Sequence, residues 1–358
     1  MKRTSVKLIA FLLLTVMILG LCACGAPAAP VAVEPAAPDT SEPAADNGEA
    51  AAIVCNLQPG IYAAGSPLDH FYIALETAVE EAFGGRFDLV IRPQDSIGDA
   101  EIVEQCMMGT CDMVNIGDLS FDIISGTLGW AFLPMMYDGY EDVDAYYYNG
   151  WVGDEITSRL ADMGLVRVGY SEAGFRQVCN NKHAIESMDD FSGVKLRVAQ
   201  LSYLVDFYTA CGALPVALAN SEVASGIEQG TIDGQDNYVT AFYNLGTLEM
   251  TPYITMLNYL YCGNSLCLSQ AFWDSLSSED QALLAETCKS VSESELDSAR
   301  QYETKLLDDC VAAGTNIISY PDADFKLALK KAAMSVWETE GSKYDADLMA
   351  KVYEDFGI

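Results

Sequence analysis

Two arginines are the residues of this sequence best suited to hold a small charged molecule. Arg176 and Arg197 stand 21 positions apart, and after Arg197 no Lys or Arg occurs until Lys289. The flanking residues predict that each arginine lies near a strand end. A planar guanidinium can donate two parallel hydrogen bonds to one carboxylate. The pair therefore indicates a carboxylate-binding site, and an ion pair with one of the many acidic residues is the alternative left open.

Other chemistries lack the residues that they need. The chain has 52 acidic and 19 basic residues, a net charge of -33, which excludes a basic nucleic-acid-binding surface. Only His70 and His183 could serve a histidine-based metal or catalytic site. Catalytic and phosphate-binding motifs such as GxSxG, the P-loop, GxGxxG and HExxH are absent. Residues 233–237 resemble a calcium loop only faintly. We expect neither metal nor cofactor and no enzyme activity, with a secreted enzyme as the weakest alternative.

The N-terminal residues 1–24 are typical of an export signal. Basic residues at positions 2, 3 and 7 precede an apolar run over 8–21, which is shorter than the ~20 residues of a membrane-spanning helix. The segment ends in Leu-Cys-Ala-Cys24, which resembles a bacterial lipoprotein box. We expect Cys24 to be lipidated and to anchor the exported protein, through lipid only, on the outer face of the cytoplasmic membrane; signal cleavage without lipidation is the alternative.

Residues 25–52 are predicted to be a disordered linker. They are nearly all Ala, Pro, Glu, Asp, Gly and Ser, without an aromatic residue, so they cannot bury enough apolar surface to fold. The folded domain is expected to begin near Ile53. Nine cysteines follow Cys24; many lie in apolar runs, where a small buried hydrophobe is the usual role, and the sequence does not establish any pairing.

From Ile53 onward, predicted strands and helices alternate, which indicates an α/β protein with mainly parallel sheets. One predicted helix is unusually long, because 277–313 contains neither proline nor glycine. At about 1.5 Å per residue it would measure about 54 Å and extend across two lobes. The other predicted helices are 67–83, 99–108, 142–163, 203–211, 222–229 with Ser221 as its cap, and 323–340. The predicted strands are 87–91, 113–116, 165–170, 194–198, 214–218, one beginning at 231, and 316–320.

Several motifs, in this order and spacing, resemble the DctP-type solute-binding proteins of TRAP (tripartite ATP-independent periplasmic) transporters. Each motif is weak alone, but together they cover essentially all of the domain. They are Gln94-Asp-Ser-Ile-Gly98, Gly109-Thr-Cys-Asp-Met113, Glu172-Ala-Gly-Phe-Arg176-Gln, Asp190-Phe-Ser-Gly-Val-Lys-Leu-Arg197-Val, Ser221-Glu-Val and Gly230-Thr-Ile-Asp-Gly-Gln-Asp-Asn237.

The resemblance implies roles for individual residues. Arg197 matches the arginine that clamps the ligand carboxylate, and Arg176 and Asn237 match residues that assist it. The sequence departs from the family at Asn220, where an aromatic residue commonly packs on the ligand, and at Tyr238, where proline is usual. An amide at position 220 favours a ligand with additional hydroxyl or amide groups. Further candidates to line the cleft are Tyr62, Glu101, Gly117 and Asp118.

The resemblance also implies a two-lobed α/β fold like that of type II periplasmic binding proteins, with the ligand cleft between lobes. Lobe I would comprise 53–173 and 263–302, and lobe II 174–262 and 303–358. The implied function is capture of a small carboxylate-bearing solute by a monomer that delivers it to the small and large membrane subunits of a TRAP transporter. The alternatives are a sensor partner in place of the transporter, and a polar ligand without a carboxylate.

Overall fold

The computed structural model describes residues 52–92 and 97–357. The expected signal peptide, Cys24 and all but the last residue of the expected linker lie outside these ranges, as do positions 94–96 of the first family motif. Within the described residues the first strand begins at Ile53, the position at which the folded domain was predicted to begin.

Ten strands and twelve α-helices form the described part of the chain. The strands are β1 (Ile53–Pro59), β2 (Phe87–Ile91), β3 (Met113–Gly117), β4 (Leu165–Asn180), β5 (Lys195–Val198), β6 (Leu214–Ala217), β7 (Gly234–Tyr238), β8 (Tyr253–Thr255), β9 (Tyr261–Ser269) and β10 (Ile317–Ser319). The helices are α1 (Pro67–Ala82), α2 (Asp99–Met107), α3 (Asp118–Ser125), α4 (Tyr140–Asp142), α5 (Trp151–Asp162), α6 (Ser202–Ala210), α7 (Val223–Glu228), α8 (Val239–Asn244), α9 (Gln270–Ser275), α10 (Ser278–Ala313), α11 (Ala323–Gly341) and α12 (Ala346–Phe356).

The strands form one sheet path in the order β2-β1-β3-β9-β4-β7-β5-β6, with β8 also paired to β4 and β10 to β8. The strands at both ends of the path pair in parallel, as predicted. Every antiparallel pair in the described chain involves β4 or β9. The sheet is therefore mixed, and the expectation of mainly parallel pairing is wrong for its centre.

Strand β4 connects the two halves of the sheet path. The sequence predicted a strand over 165–170, but β4 extends for 16 residues to Asn180. Its first half pairs with β9 and its second half with β7 and β8. Because partners are available along its whole length, the strand continues through Arg176 and carries that residue into the sheet.

Two predicted helices have different limits. The helix expected over 142–163 is interrupted by a π-helical turn, Val143–Tyr148, and resumes at Trp151. A Cβ at Gly150 would lie 2.3 Å from the Ala145 carbonyl oxygen, so this interruption requires glycine. The helix that Ser221 was expected to cap starts as a 3₁₀ turn over Asn220–Glu222, which includes Ser221, and becomes α-helical only at Val223.

The long helix is confirmed. Helix α10 has 36 residues, and the side chain of its N-cap, Ser277, accepts a hydrogen bond from the backbone N–H of Asp280 at 3.1 Å. It ends at Gly314, whose φ of 66° is the left-handed conformation that glycine adopts readily. The helix packs against α1, α8 and β4, so it connects distant parts of the chain.

All nine cysteines that follow Cys24 are buried free thiols. Burial raises the pKa of Cys211 and of Cys288 to about 12, which keeps both protonated at neutral pH. The expectation that these residues act as small buried hydrophobes is therefore confirmed, and the structure forms no disulfide among them.

Candidate functional site

A cavity opens where several strands end and two helices begin. Strands β6 and β7 both pair in parallel with β5. Arg197 and Tyr238 lie at the carboxyl ends of β5 and β7, and Asn220 follows the carboxyl end of β6; all three line the cavity. The end of β3 and the N-terminal residues of α2 and α3 line another side. The crevice at the carboxyl ends of such strands is the usual ligand position in open α/β sheets. The cavity is lined by Gly98, Asp99, Ala100, Gly117, Leu119, Ser120, Ile123, Arg176, Arg197, Ala199, Gln200, Leu218, Ala219, Asn220, Asn237, Tyr238 and Cys262.

Arg197 contributes a buried cation to this cavity. Only 3% of its surface is exposed, and its Nε donates to the carbonyl oxygen of Leu218 at 3.0 Å. Within residues 52–92 and 97–357 no carboxylate lies within ion-pair distance, and the guanidinium makes no other hydrogen bond. Burial, together with the charge of Arg176, lowers the pKa of Arg197 to about 10. The group is still protonated at neutral pH and has donors available to a ligand.

Arg176 is equally buried but already has a carboxylate partner. Its Nε donates to Asp236 Oδ1 at 2.5 Å and its Nη2 to the Asp236 carbonyl oxygen at 2.7 Å. The hydroxyl of Tyr259 donates to the other carboxylate oxygen of Asp236. Burial acts to lower the pKa of Arg176, but Asp236, together with Tyr259 and Cys262, acts in the opposite direction, and the pKa of Arg176 is raised overall. Arg176 therefore lines the cavity mainly as part of a neutralised pair.

The two asparagines predicted from the sequence lie together on the cavity lining. Asn237 donates from Nδ2 to Asn220 Oδ1 at 3.1 Å and to Gln235 Oε1 at 3.3 Å. Its Oδ1 accepts from the backbone N–H of Tyr238 at 3.1 Å. Asn237 is buried and Asn220 half-buried. These bonds fix the orientation of both amides, so the cavity presents preorganised polar groups beside the arginines.

Three sequence candidates lie outside the cavity lining. Tyr62 packs edge-on against Tyr72, with ring centroids 5.0 Å apart. Glu101 is exposed, and its side chain accepts from the backbone N–H of Gly98, which caps α2. Asp118 is fully buried and accepts from the Tyr147 hydroxyl. The other six residues predicted from the sequence all line the cavity: Arg197, Arg176, Asn237, Asn220, Gly117 and Tyr238.

Asp99 also lines the cavity, although it was not predicted from the sequence as a site residue. This residue opens α2 and is the one acidic side chain among the described lining residues. Burial raises the pKa of Asp99, and the charge of Arg197 acts in the opposite direction. The available signal was its position directly after Gly98, the last residue of the first family motif. Nothing else in the sequence distinguishes this aspartate from the other acidic residues, of which the chain has 52 in all.

Comparison with known proteins identifies the family. Residues 61–343 match the DctP model, described as bacterial extracellular solute-binding protein, family 7. The chain belongs to this family. It is a DctP-type solute-binding protein, and because the family is one of solute-binding proteins, it is not an enzyme. Within residues 52–92 and 97–357, no helix has the length and apolar composition needed to span a bilayer.

Three similar proteins have named ligands. The 2,3-diketo-L-gulonate-binding periplasmic protein YiaO of Escherichia coli is 24% identical over 67% of this chain and 74% of its own. The sugar acid binding protein of Advenella mimigardefordensis, solved with galactonate, has a TM-score of 0.80 at 19% identity, covering 85% of this chain and 98% of that one. A TRAP solute-binding protein of Haemophilus influenzae, solved with L-gulonate, has a TM-score of 0.77 at 24% identity, covering 85% and 99%. The predicted two-lobed periplasmic-binding-protein fold is thus confirmed.

Proposed function

We propose that this protein captures a small organic solute through a carboxylate and delivers it for TRAP-type secondary transport. The observation that carries the proposal is Arg197: a buried cation that lines the cavity, without an ion-pair partner in the described chain. A buried charge of this kind is costly unless a partner compensates it. The ligand carboxylate would be that partner. The sugar acids bound by the similar proteins support this ligand class.

The proposed binding step is closure of two lobes, 53–173 with 263–302 and 174–262 with 303–358. The cavity lining supports this division, because Asp99 and Gly117 belong to the first set and Arg197 and Asn237 to the second. A ligand contacted from both sets would stabilise the closed form. Native mass spectrometry of the purified protein tests the function: a co-purified carboxylic acid is the expected result, and a bound molecule without a carboxylate would contradict it.

The partners that we propose are the small and large membrane subunits of a TRAP transporter, which a monomeric, ligand-loaded protein would meet at the membrane. Their test is uptake into vesicles that contain both subunits. Uptake should require the ligand-loaded protein, and uptake that is independent of it would contradict this partnership.

We further propose that Cys24 carries a lipid anchor. The Leu-Cys-Ala-Cys24 box followed by an Ala- and Pro-rich segment supports it. In the Cys24→Ser variant the protein should leave the membrane fraction after a high-salt wash, since the acyl chains would be missing. Cys22→Ser serves as the matched control and should remain in the membrane fraction. A Cys24→Ser protein that stays membrane-bound would disprove the assignment.

Replacement of Asn220 by phenylalanine should weaken binding of the native ligand. The change restores the aromatic residue common in the family, but it removes a polar group from the cavity lining and the acceptor that orients Asn237. Loss of one neutral hydrogen bond corresponds to about 1 kcal/mol, or roughly a fivefold loss of affinity. Calorimetric titration with the co-purified acid measures it. Asn220→Ala separates loss of the amide from the added bulk, and an unchanged affinity in both variants would exclude Asn220 from ligand contact.

A further inference from the structure

Among the described residues of the cavity lining, one basic and one acidic side chain lack an ion-pair partner. Arg176 is neutralised by Asp236, which leaves Arg197 and Asp99 as the other ionisable side chains of opposite sign among these lining residues. Neither has an ion-pair partner in the described chain, although the two are coupled through space. The cavity therefore presents one positive and one negative group, rather than the two cations that the arginine count alone suggests.

This charge distribution restricts what can occupy the cavity. A carboxylate at Arg197 leaves Asp99 as a second polar contact that accepts hydrogen bonds. A hydroxyl or an ammonium group on the ligand can donate to the Asp99 carboxylate, whereas a second carboxylate there would meet a like charge. The site is partly buried, and like charges brought together in a desolvated site strongly disfavour binding.

We propose that Asp99 is a specificity-determining residue that selects ligands with one carboxylate, held by Arg197, and a hydroxyl or ammonium donor opposite it, and that it rejects dicarboxylates. The inference rests on the proposed function, because it assumes that Arg197 holds the carboxylate. Beyond the proposed function, it specifies how many carboxylates the ligand carries and the chemical class of the group at the other end of the ligand.

The test compares matched compounds that differ only at the end remote from the first carboxylate. One pair is galactonate and galactarate, in which a terminal hydroxymethyl group is replaced by a carboxylate. The other set is 4-hydroxybutanoate, 4-aminobutanoate and succinate. In whichever set binds, the dissociation constant of the dicarboxylate should be at least about 100-fold higher than that of its monocarboxylate analogue. Calorimetric titration of the wild-type protein measures both constants.

Asp99→Asn should change this selectivity in a defined direction. The variant keeps the shape of the side chain and its ability to accept a hydrogen bond, but it removes the negative charge. We expect dicarboxylate binding to improve and the preference for the monocarboxylate to fall by at least about tenfold. Glu104→Gln, an exposed change on the same helix outside the cavity lining, controls for loss of one negative charge and should leave the preference unchanged.

The outcomes separate this inference from the function on which it rests. A wild-type protein that binds a dicarboxylate as well as its monocarboxylate analogue, or an Asp99→Asn variant with the wild-type preference, would overturn the role of Asp99 while carboxylate capture stands. Binding to none of the five compounds would contradict the ligand class itself. The relative affinities for 4-hydroxybutanoate and 4-aminobutanoate decide whether the donor is a hydroxyl or an ammonium group.

Discussion

Arg197→Ala is expected to lose binding of the co-purified acid by about 30-fold to several thousand-fold. The figure follows from the roughly 2–5 kcal/mol that removal of one member of a buried charge pair costs, at about 1.4 kcal/mol per tenfold change. Most of this penalty arises because the ligand carboxylate would enter a buried cavity without its cation. Calorimetric titration measures the loss, and a folded Arg197→Ala protein with wild-type affinity would disprove the assignment.

The conservative variant refines this expectation. Arg197→Lys keeps the charge, but an ammonium group cannot donate two parallel hydrogen bonds in the plane of a carboxylate. A substantial part of the loss should therefore remain. Arg176→Lys should reduce affinity less than Arg197→Lys, because Asp236 already engages the Nε and Nη2 groups of Arg176.

Thermal unfolding without ligand distinguishes the two arginines and controls for misfolding. Arg197 has no ion-pair partner in the described chain, so Arg197→Ala removes an uncompensated buried charge and should not lower the melting temperature of the ligand-free protein. Arg176→Ala would leave the buried Asp236 carboxylate without its cation, which typically costs about 3–5 kcal/mol. A lower melting temperature for Arg176→Ala alone would support a primarily structural role for that residue.

Local patterns in the sequence were sufficient for many elements of this fold. The run over 277–313 without proline or glycine predicted a single long helix, because the absence of helix-breaking residues is a local signal. The parallel or antiparallel sense of the central strands was not predictable in this way. It depends on the pairing of β4 with β9, whose paired residues are 86 to 104 positions apart in the chain.

The same distinction applies to the candidate site. Arg197 stood out because basic residues are scarce after it, and the family resemblance gave it a role. The partner of Arg176 could not be predicted, since Asp236 is 60 positions away and any of many acidic residues could have occupied that place. Asp99 was missed for a related reason: its proposed role depends on its position at a cavity without an ion-pair partner among the described residues, which only the packed structure reveals.

Gly234→Ala is expected to destabilise the protein by about 3 kcal/mol or more. Gly234 begins β7 and pairs with Asn180 of β4. A Cβ at this position would lie 2.0 Å from the Cys179 carbonyl oxygen and 2.6 Å from the Asn180 Cα, both backbone atoms that cannot rotate away. The strand would have to shift, and Asn237 with it, so ligand affinity should fall together with stability.

The matched control for this substitution is Gly139→Ala, because no atom lies within 4 Å of a Cβ built there and its φ of 179° is extended backbone open to any residue. Urea unfolding of both variants measures the free energies, and titration of any folded fraction measures binding. If the free energy of unfolding of Gly234→Ala is within about 1 kcal/mol of the wild-type value and no lower than that of Gly139→Ala, β4 and β7 can move apart without loss of stability. That result would contradict the prediction. The expected result instead assigns the glycine of the Asp-Gly-Gln-Asp-Asn motif to close strand packing, which holds the asparagine three residues later at the cavity.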